Sequence, residues 1–290
     1  PSAGDRAANV LAVARALSTH LARSRPLDRK LVSNVMTTGF GGSDAEGVWS
    51  WRDAYEAIEA ATVLQLRRLA SQVGRLASVS GLGLTHSRRS EEQVALDQFS
   101  PPPELAALAV LSAQVRPGDR VLEPSAGTGL IAVVAEACGG ELTLNEIGAG
   151  RADLLDGLFP RATRSRHDGR HVQDVLPNAG RFDVAVCNPP FSELEAHLVA
   201  AFAALADGGR MAAIVPLTAL GDDALLARLG SRGRIHARIA FPSRAFARHG
   251  TTVDTGLLVI DRTEPDGPPP PLTGGEDLAA CAALAAAVTG

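Results

Sequence analysis

From Arg120 onward, short apolar runs alternate with helical segments, and that rhythm constrains the fold more than any other feature of the chain. The runs are RVLEP, ELTLNE, ATRSRHD, FDVAVCN, RMAAIVP, RIHARIAFP and TTVDTGLLVID. Strands separated by helix-length connections predict a parallel α/β sheet. The last two runs lie too close together for a crossover helix, so they predict an antiparallel pair at the end of the sheet. Ahead of this region, RAANVLAVARAL and WRDAYEAIEAATVLQLRRLASQVGRL carry apolar residues at three- and four-residue spacing and read as helices, to about Leu84. The Gly41-Gly42 pair between them follows no strand and lacks a phosphate-loop Lys, and reads as a connector. The organisation is thus a helical N-terminal region (1–94), an α/β domain (95–263), and a Pro/Gly linker with an Ala-rich helical stub (264–290).

Composition narrows the class. Hydrophobic residues make up 46% and charged residues 21% of 290, which excludes a disordered or fibrous chain. Cys138, Cys187 and Cys281 are far apart and match neither a metal-ligand nor a disulfide pattern, so a reducing, cytoplasmic setting and no metal are expected. No apolar run approaches the roughly 18 residues of a membrane span, and no signal peptide opens the chain, so no membrane partner is expected. The opening PSAGDRAAN lacks an initiator Met, which fits a processed product or a fragment of something longer. The net charge of −4 argues against a general nucleic-acid binder. Even so, Ala227 to Gly250 holds no acidic residue and carries Arg228, Arg232, Arg234, Arg238, Arg244 and Arg248, with Phe241 and Phe246 interleaved. Such a stretch is either a solvated face or a local surface for phosphates and bases.

The first strand ends in EPSAGTGLIA, in which Gly127, Gly129 and Ala132 meet the G-x-G-x-x-G/A spacing at a strand-to-helix turn. Glycines there permit a tight turn and close approach of backbone N–H groups to a ligand. Glu146 ends the next strand, at the separation where a carboxylate meets ribose hydroxyls. Asp168 closes the third, either accepting from an adenine amino group or capping the following turn. These positions specify an adenosine-type cofactor without choosing between NAD and S-adenosylmethionine. The fourth strand stops in Asn188-Pro189-Pro190-Phe191, either a simple strand terminator or a cradle that holds a planar amine.

FSPP at Phe99 to Pro102, EPSAGTG at Glu123 to Gly129, NE at Asn145-Glu146, Asp168 and NPPF at Asn188 to Phe191 occur in one order. Together they resemble the class I S-adenosylmethionine-dependent amino-methyltransferases of the N6-adenine type, over roughly residues 95 to 262. The helical stretch GGSDAEGVWSWRDAYEAIEAA is similar, more narrowly, to the methylase region of bacterial strawberry-notch-like helicase–methylase proteins, often carried on plasmids.

The resemblance implies a Rossmann-like seven-stranded sheet with a reversed terminal hairpin, and transfer of a methyl group to adenine in nucleic acid, DNA before RNA. It also implies a linked or associated helicase as partner. It implies a cofactor site of Phe99, Pro101, Glu123, Pro124, Ser125, Ala126, Gly127, Gly129, Glu146, Ile147, Asp168 and Asn188. The target base falls to Asn188, Pro189, Pro190 and Phe191. Apart from the resemblance, the charge and interleaved aromatics of the basic stretch make Arg232, Arg234, Arg238, Phe241, Arg244, Phe246 and Arg248 the expected nucleic-acid residues. Gly148 departs from an acid found in many relatives, and Ser125-Ala126 from a bulkier residue. Related motifs also serve enzymes that methylate glutamine or rRNA guanine. A non-catalytic module that positions DNA is the third reading.

Overall fold

The computed structural model describes residues 3–69, 100–243, 245 and 253–289. Among them an eight-stranded sheet runs in the order β3-β2-β1-β4-β5-β7-β6-β8. The strands are β1 (Arg120–Glu123), β2 (Glu141–Asn145), β3 (Thr163–Ser165), β4 (Phe182–Cys187), β5 (Leu205–Pro216), β6 (Arg234–Ala240), β7 (Thr255–Asp261) and β8 (Thr273–Gly274). β1 to β5 are parallel, and β7 lies antiparallel between β5 and β6. Three expectations change. β3 is only three residues long, because the chain after Ser165 turns into the loop that carries Asp168. β5 begins five residues before Arg210, across a register break opposite Phe182 and Val184. The eighth strand comes from the segment expected to be only a linker, where Thr273 and Gly274 pair with Ile239 and Ala240 of β6.

Successive strand residues point to opposite faces, and two core clusters record this. Val121, Val184, Val186, Ala212, Ile214, Leu257 and Val259 belong to one, and Leu122, Ala185, Cys187, Met211, Ala213, Leu258 and Ile260 to the other. Burial on both faces is why these strands read as continuous apolar runs. One face is covered by α1 (Ala3–Ala22), α3 (Trp51–Arg68), α4 (Pro103–Ser112) and α5 (Leu130–Ala137), with α2 (Arg29–Phe40) and α6 (Ala149–Leu158) beside them. The opposite face carries α7 (Val172–Val175), α8 (Leu194–Ala203) and α9 (Asp223–Gly230). α10 (Leu278–Thr289) packs on β6 and α4 and buries Cys281.

The N-terminal helices share one core cluster with the sheet, and α3 is buried along nearly its whole length. Ser50 caps α3 in a reciprocal box with Asp53, and Arg6 of α1 donates to Asp53 at 2.7 Å. The helical expectation for residues 70–84 and the link before Ser100 fall outside the described residues.

The basic stretch is built differently from the expectation. Arg238 donates to the carbonyls of Leu220 (2.7 Å) and Pro270 (2.8 Å), so it fastens the C-terminal segment to the sheet. Phe241 is 5% exposed and lies in the core, so its ring is not open to a base. Replacing Arg238 with Met should lower unfolding free energy by about 1–3 kcal/mol in urea titration, because two carbonyls lose a charged donor.

Candidate active site

The order of strands reverses between β1 and β4, and the loops following β1, β2, β3 and β4 meet at their carboxyl ends, where open α/β sheets bind ligands. A cavity of about 520 Å³ opens there. Pro101, Glu123, Pro124, Ser125, Ala126, Gly127, Glu146, Ile147, Asp168, Asn188 and Pro190, all expected from the sequence, line it. Phe99 lies outside the described residues. Gly129 does not line the cavity. Its φ of +87° starts α5, and a Cβ there would meet the Phe159 ring at 2.3 Å, so this glycine serves packing. Gly127, at φ +56°, makes the turn itself. Its N–H is not free for a ligand, because it donates to Glu146 Oε2 at 2.8 Å.

Glu146 is 3% exposed, and its other oxygen accepts from Gly148 N at 2.7 Å. Two backbone N–H groups from the loops after β1 and β2 thus orient the Glu146 carboxylate at the cavity wall. Beside it Asn145 satisfies both ends of its amide. Nδ2 donates to Pro124 O and His167 O, and Oδ1 accepts from Ser165 Oγ and His167 N, all within 3.0 Å. One side chain thus joins the loops after β1, β2 and β3. Glu123 is 2% exposed, and burial pushes its carboxyl well above the usual carboxylate range.

Asp168 closes the loop after β3. It caps the turn Gly169–His171, accepting from Arg170 N at 3.0 Å, and it lines the cavity. The Arg170 side chain grips it from Nε at 3.0 Å and holds its carboxyl down to about 2. Arg170 also pairs with Glu193, just past the NPPF turn, and so ties the β3 loop to the β4 loop. His197 on α8 completes the wall. It is 7% exposed, burial lowers its pKa, and Nδ1 is buried without a hydrogen-bond partner among the described residues. The ring sits where a Cβ on Gly169 would fall, 2.8 Å from Nδ1. Sequence reasoning missed Arg170, His197 and Arg151. For His197 the available signal was its place in the buried stripe of α8 with Leu198 and Ala201.

Pro189 is buried and Phe191 does not face the first cavity. Phe191 lines a second, open cavity of about 760 Å³ with Pro216, Arg228 and Arg232. Arg170, Ser192 and Glu193 line both. Of the expected nucleic-acid residues only Arg232 among the described ones reaches this cavity. Arg234 pairs with Asp266 at 2.9 Å on the surface, and Arg244, Phe246 and Arg248 lie outside the described residues. Cys187 is 1% exposed, with its thiol pushed up to about 12 by burial, so it is core rather than nucleophile. Among the described residues no group of three or more His, Cys, Asp or Glu side chains is placed to hold a metal, and no helix is long and apolar enough to cross a membrane.

Known structures share this architecture. A protein from Listeria monocytogenes described as a class I S-adenosylmethionine-dependent methyltransferase superposes with a TM-score of 0.58 at 13% identity, over 98% of each chain. A modification subunit attributed to a type I restriction enzyme of Vibrio vulnificus superposes with a TM-score of 0.51 at 19% identity, over 86% of this chain and 61% of that one. No protein-family model matches the chain, and no curated protein matches its sequence. The fold is therefore the Rossmann-like fold of class I methyltransferases, with one strand added at the edge.

The grip of Arg170 on Asp168 has a pH signature. A carboxyl held below its ordinary value of 3.8 keeps the ion pair at every pH above that value and loses it as pH falls towards about 2. Carboxyl-carbon NMR should find Asp168 titrating near about 2, and Arg170→Ala should return it towards the ordinary range.

Proposed function

We propose that the protein transfers a methyl group from S-adenosylmethionine to the exocyclic amine of adenine in nucleic acid, DNA in the first instance. The observation that carries this reading is the meeting of two cavities at the NPPF turn: Asn188 and Pro190 face the first, Phe191 the second.

The first cavity suits the cofactor. Its volume falls in the range of small-molecule sites. Glu146, oriented by two backbone N–H groups at the cavity wall, is the carboxylate that would accept from a ribose diol. Ile147, half exposed at the rim, gives an apolar face for a purine, and Asp168 an acceptor for its amino group. When bound, S-adenosylmethionine supplies an electrophilic methyl group.

The chain's own residues then have to prepare a poor nucleophile, since the lone pair of a nucleobase amine is delocalised into the ring. The Asn188 side-chain oxygen, buried in the turn, and the Pro189 carbonyl are the two acceptors the NPPF sequence provides for the amine hydrogens. Two acceptors favour a pyramidal nitrogen with its lone pair directed at the methyl group, which is orientation plus electrostatic pre-organisation. The two prolines fix the backbone of the turn. Phe191 offers a stacking face from the second cavity, worth on the order of 1–3 kcal/mol per base. A base in duplex would enter by flipping out. The Vibrio structure, a restriction-enzyme modification subunit by description, supports a DNA substrate by fold-level analogy alone.

A second reading has an observation of its own. Glu193, Glu195 and Asp222 balance Arg170, Arg228 and Arg232 around the second cavity, and Arg228 is already paired with Glu195. That balance suits a neutral planar amide, such as a glutamine side chain, as well as it suits a nucleotide. A helicase partner belongs to the proposal only through the narrower sequence resemblance.

Uptake of labelled methyl from S-adenosylmethionine into DNA, RNA or protein separates these substrates, and sequencing of methylated DNA from expressing cells would place the mark. Asn188→Ala should leave cofactor affinity near wild type and lower transfer at least about 100-fold; comparable transfer in that variant would remove the amine-holding role. Arg232→Ala should weaken nucleic-acid affinity and flatten its salt dependence by about one unit. An unchanged slope would favour the amide substrate.

A further inference from the structure

We propose that Glu59, on a helix outside the α/β sheet, is the positioning residue that sets the rim of the cofactor cavity. The inference rests on the cofactor reading above and not on the identity of the methyl acceptor.

Glu59 is 7% exposed and does not line the cavity. Its Oε2 accepts from Ser100 Oγ at 2.8 Å and from Thr128 Oγ1 at 2.8 Å. Both donors do line the cavity, from two separate walls. Ser100 leads into Pro101 and α4, and Thr128 sits in the turn between Gly127 and Gly129. One helical turn earlier, Glu56 faces Arg151 at 3.8 Å and Arg52 at 3.1 Å. Arg151 is 3% exposed, lines the same cavity, and reaches within 3.7 Å of where a Cβ on Gly127 would stand. Residues three apart share a helix face, so α3 turns two buried carboxylates towards the same glycine turn.

A helix that served only as packing would present apolar side chains there, because burying a carboxylate is expensive unless its hydrogen bonds are made. The turn it faces needs an external anchor. Two residues at positive φ, Gly127 and Gly129, flank Thr128, and glycines lose the most conformational freedom when held in one geometry. The Thr128 hydroxyl is the handle by which Glu59 holds that turn, and the Ser100 hydroxyl fixes the opposite wall to the same oxygen. The segment EAIEA of α3 thereby gains a role in cofactor binding, at a distance from the ligand.

Calorimetric titration of the full chain with S-adenosylmethionine, paired with the melting temperature of the unliganded protein, tests this. Glu59→Ala should raise Kd about tenfold, and Thr128→Val several-fold, since each removes a hydrogen bond to a charged acceptor. The double variant should bind no worse than Glu59→Ala within about twofold, because both act through one contact. A Glu59→Ala Kd within about twofold of wild type, whatever the fall in melting temperature, would reduce Glu59 to a structural tie and overturn the proposal. Fully additive losses would do the same. Should Glu59→Ala fail to fold, the Ser100→Ala/Thr128→Val pair carries the test, with the same expected rise in Kd of about tenfold and the same overturning result. No binding by the wild-type chain would instead defeat the cofactor reading.

Discussion

The carboxylate of Glu146 holds the turn after β1 against the turn after β2, through Gly127 N and Gly148 N. The same turn is tied to β2 by Ala126 N donating to Asn145 O and to α3 by Thr128 donating to Glu59, so Glu146 closes a set of three anchors. Asn145 extends the same junction to the β3 loop. Arg170 carries it on to the residue after Ser192. The cavity is thus a chain of side-chain-to-backbone bonds around the ends of four strands. Its shape is stored in polar contacts, while the apolar clusters fix only the sheet beneath it.

Much of this was legible because strand ends have a grammar. A buried strand announces itself as an apolar run, and the first polar residue after it marks the carboxyl end. Glu146, Asp168 and Asn188 were placed at strand ends in the sequence, and all three line one cavity. What sequence could not supply was which partner each polar group already has. Gly127 looked like a donor to a ligand, yet its N–H is taken by Glu146. Gly129 looked like a ligand contact, yet the neighbouring ring of Phe159 claims the space. Phe191 and Asn188 are three residues apart and face different cavities, because the two prolines between them turn the chain.

The basic stretch shows the same limit from the other side. Six arginines and two phenylalanines in sequence suggest one surface. In a strand, alternate residues face opposite ways, so β6 keeps Arg234 and Arg238 on its outer side, but each is already engaged. Ile235, Ala237 and Ile239 go inward, and Arg238 is used to fasten the C-terminal segment. Arg234 pairs on the surface with Asp266. Charge density along a sequence becomes open charge density in space only where the side chains are not already taken by local partners.

The short β8 also bears on how the molecule behaves in a crowded solution. An open strand edge is a template on which another chain can pair, and proteins guard such edges with short strands, charge or a covering segment. Here β6 would be the terminal strand, and Thr273 and Gly274 occupy part of its free side, with α10 packed beside them. At the far edge β3 offers three residues, and Arg164 spans its neighbourhood to Asp156 and to the Phe159 carbonyl. A sheet with both borders blunted in this way can stay solitary while its interior strands remain strongly apolar. The tail that reads as a spacer is thus used to cover part of an otherwise open strand edge.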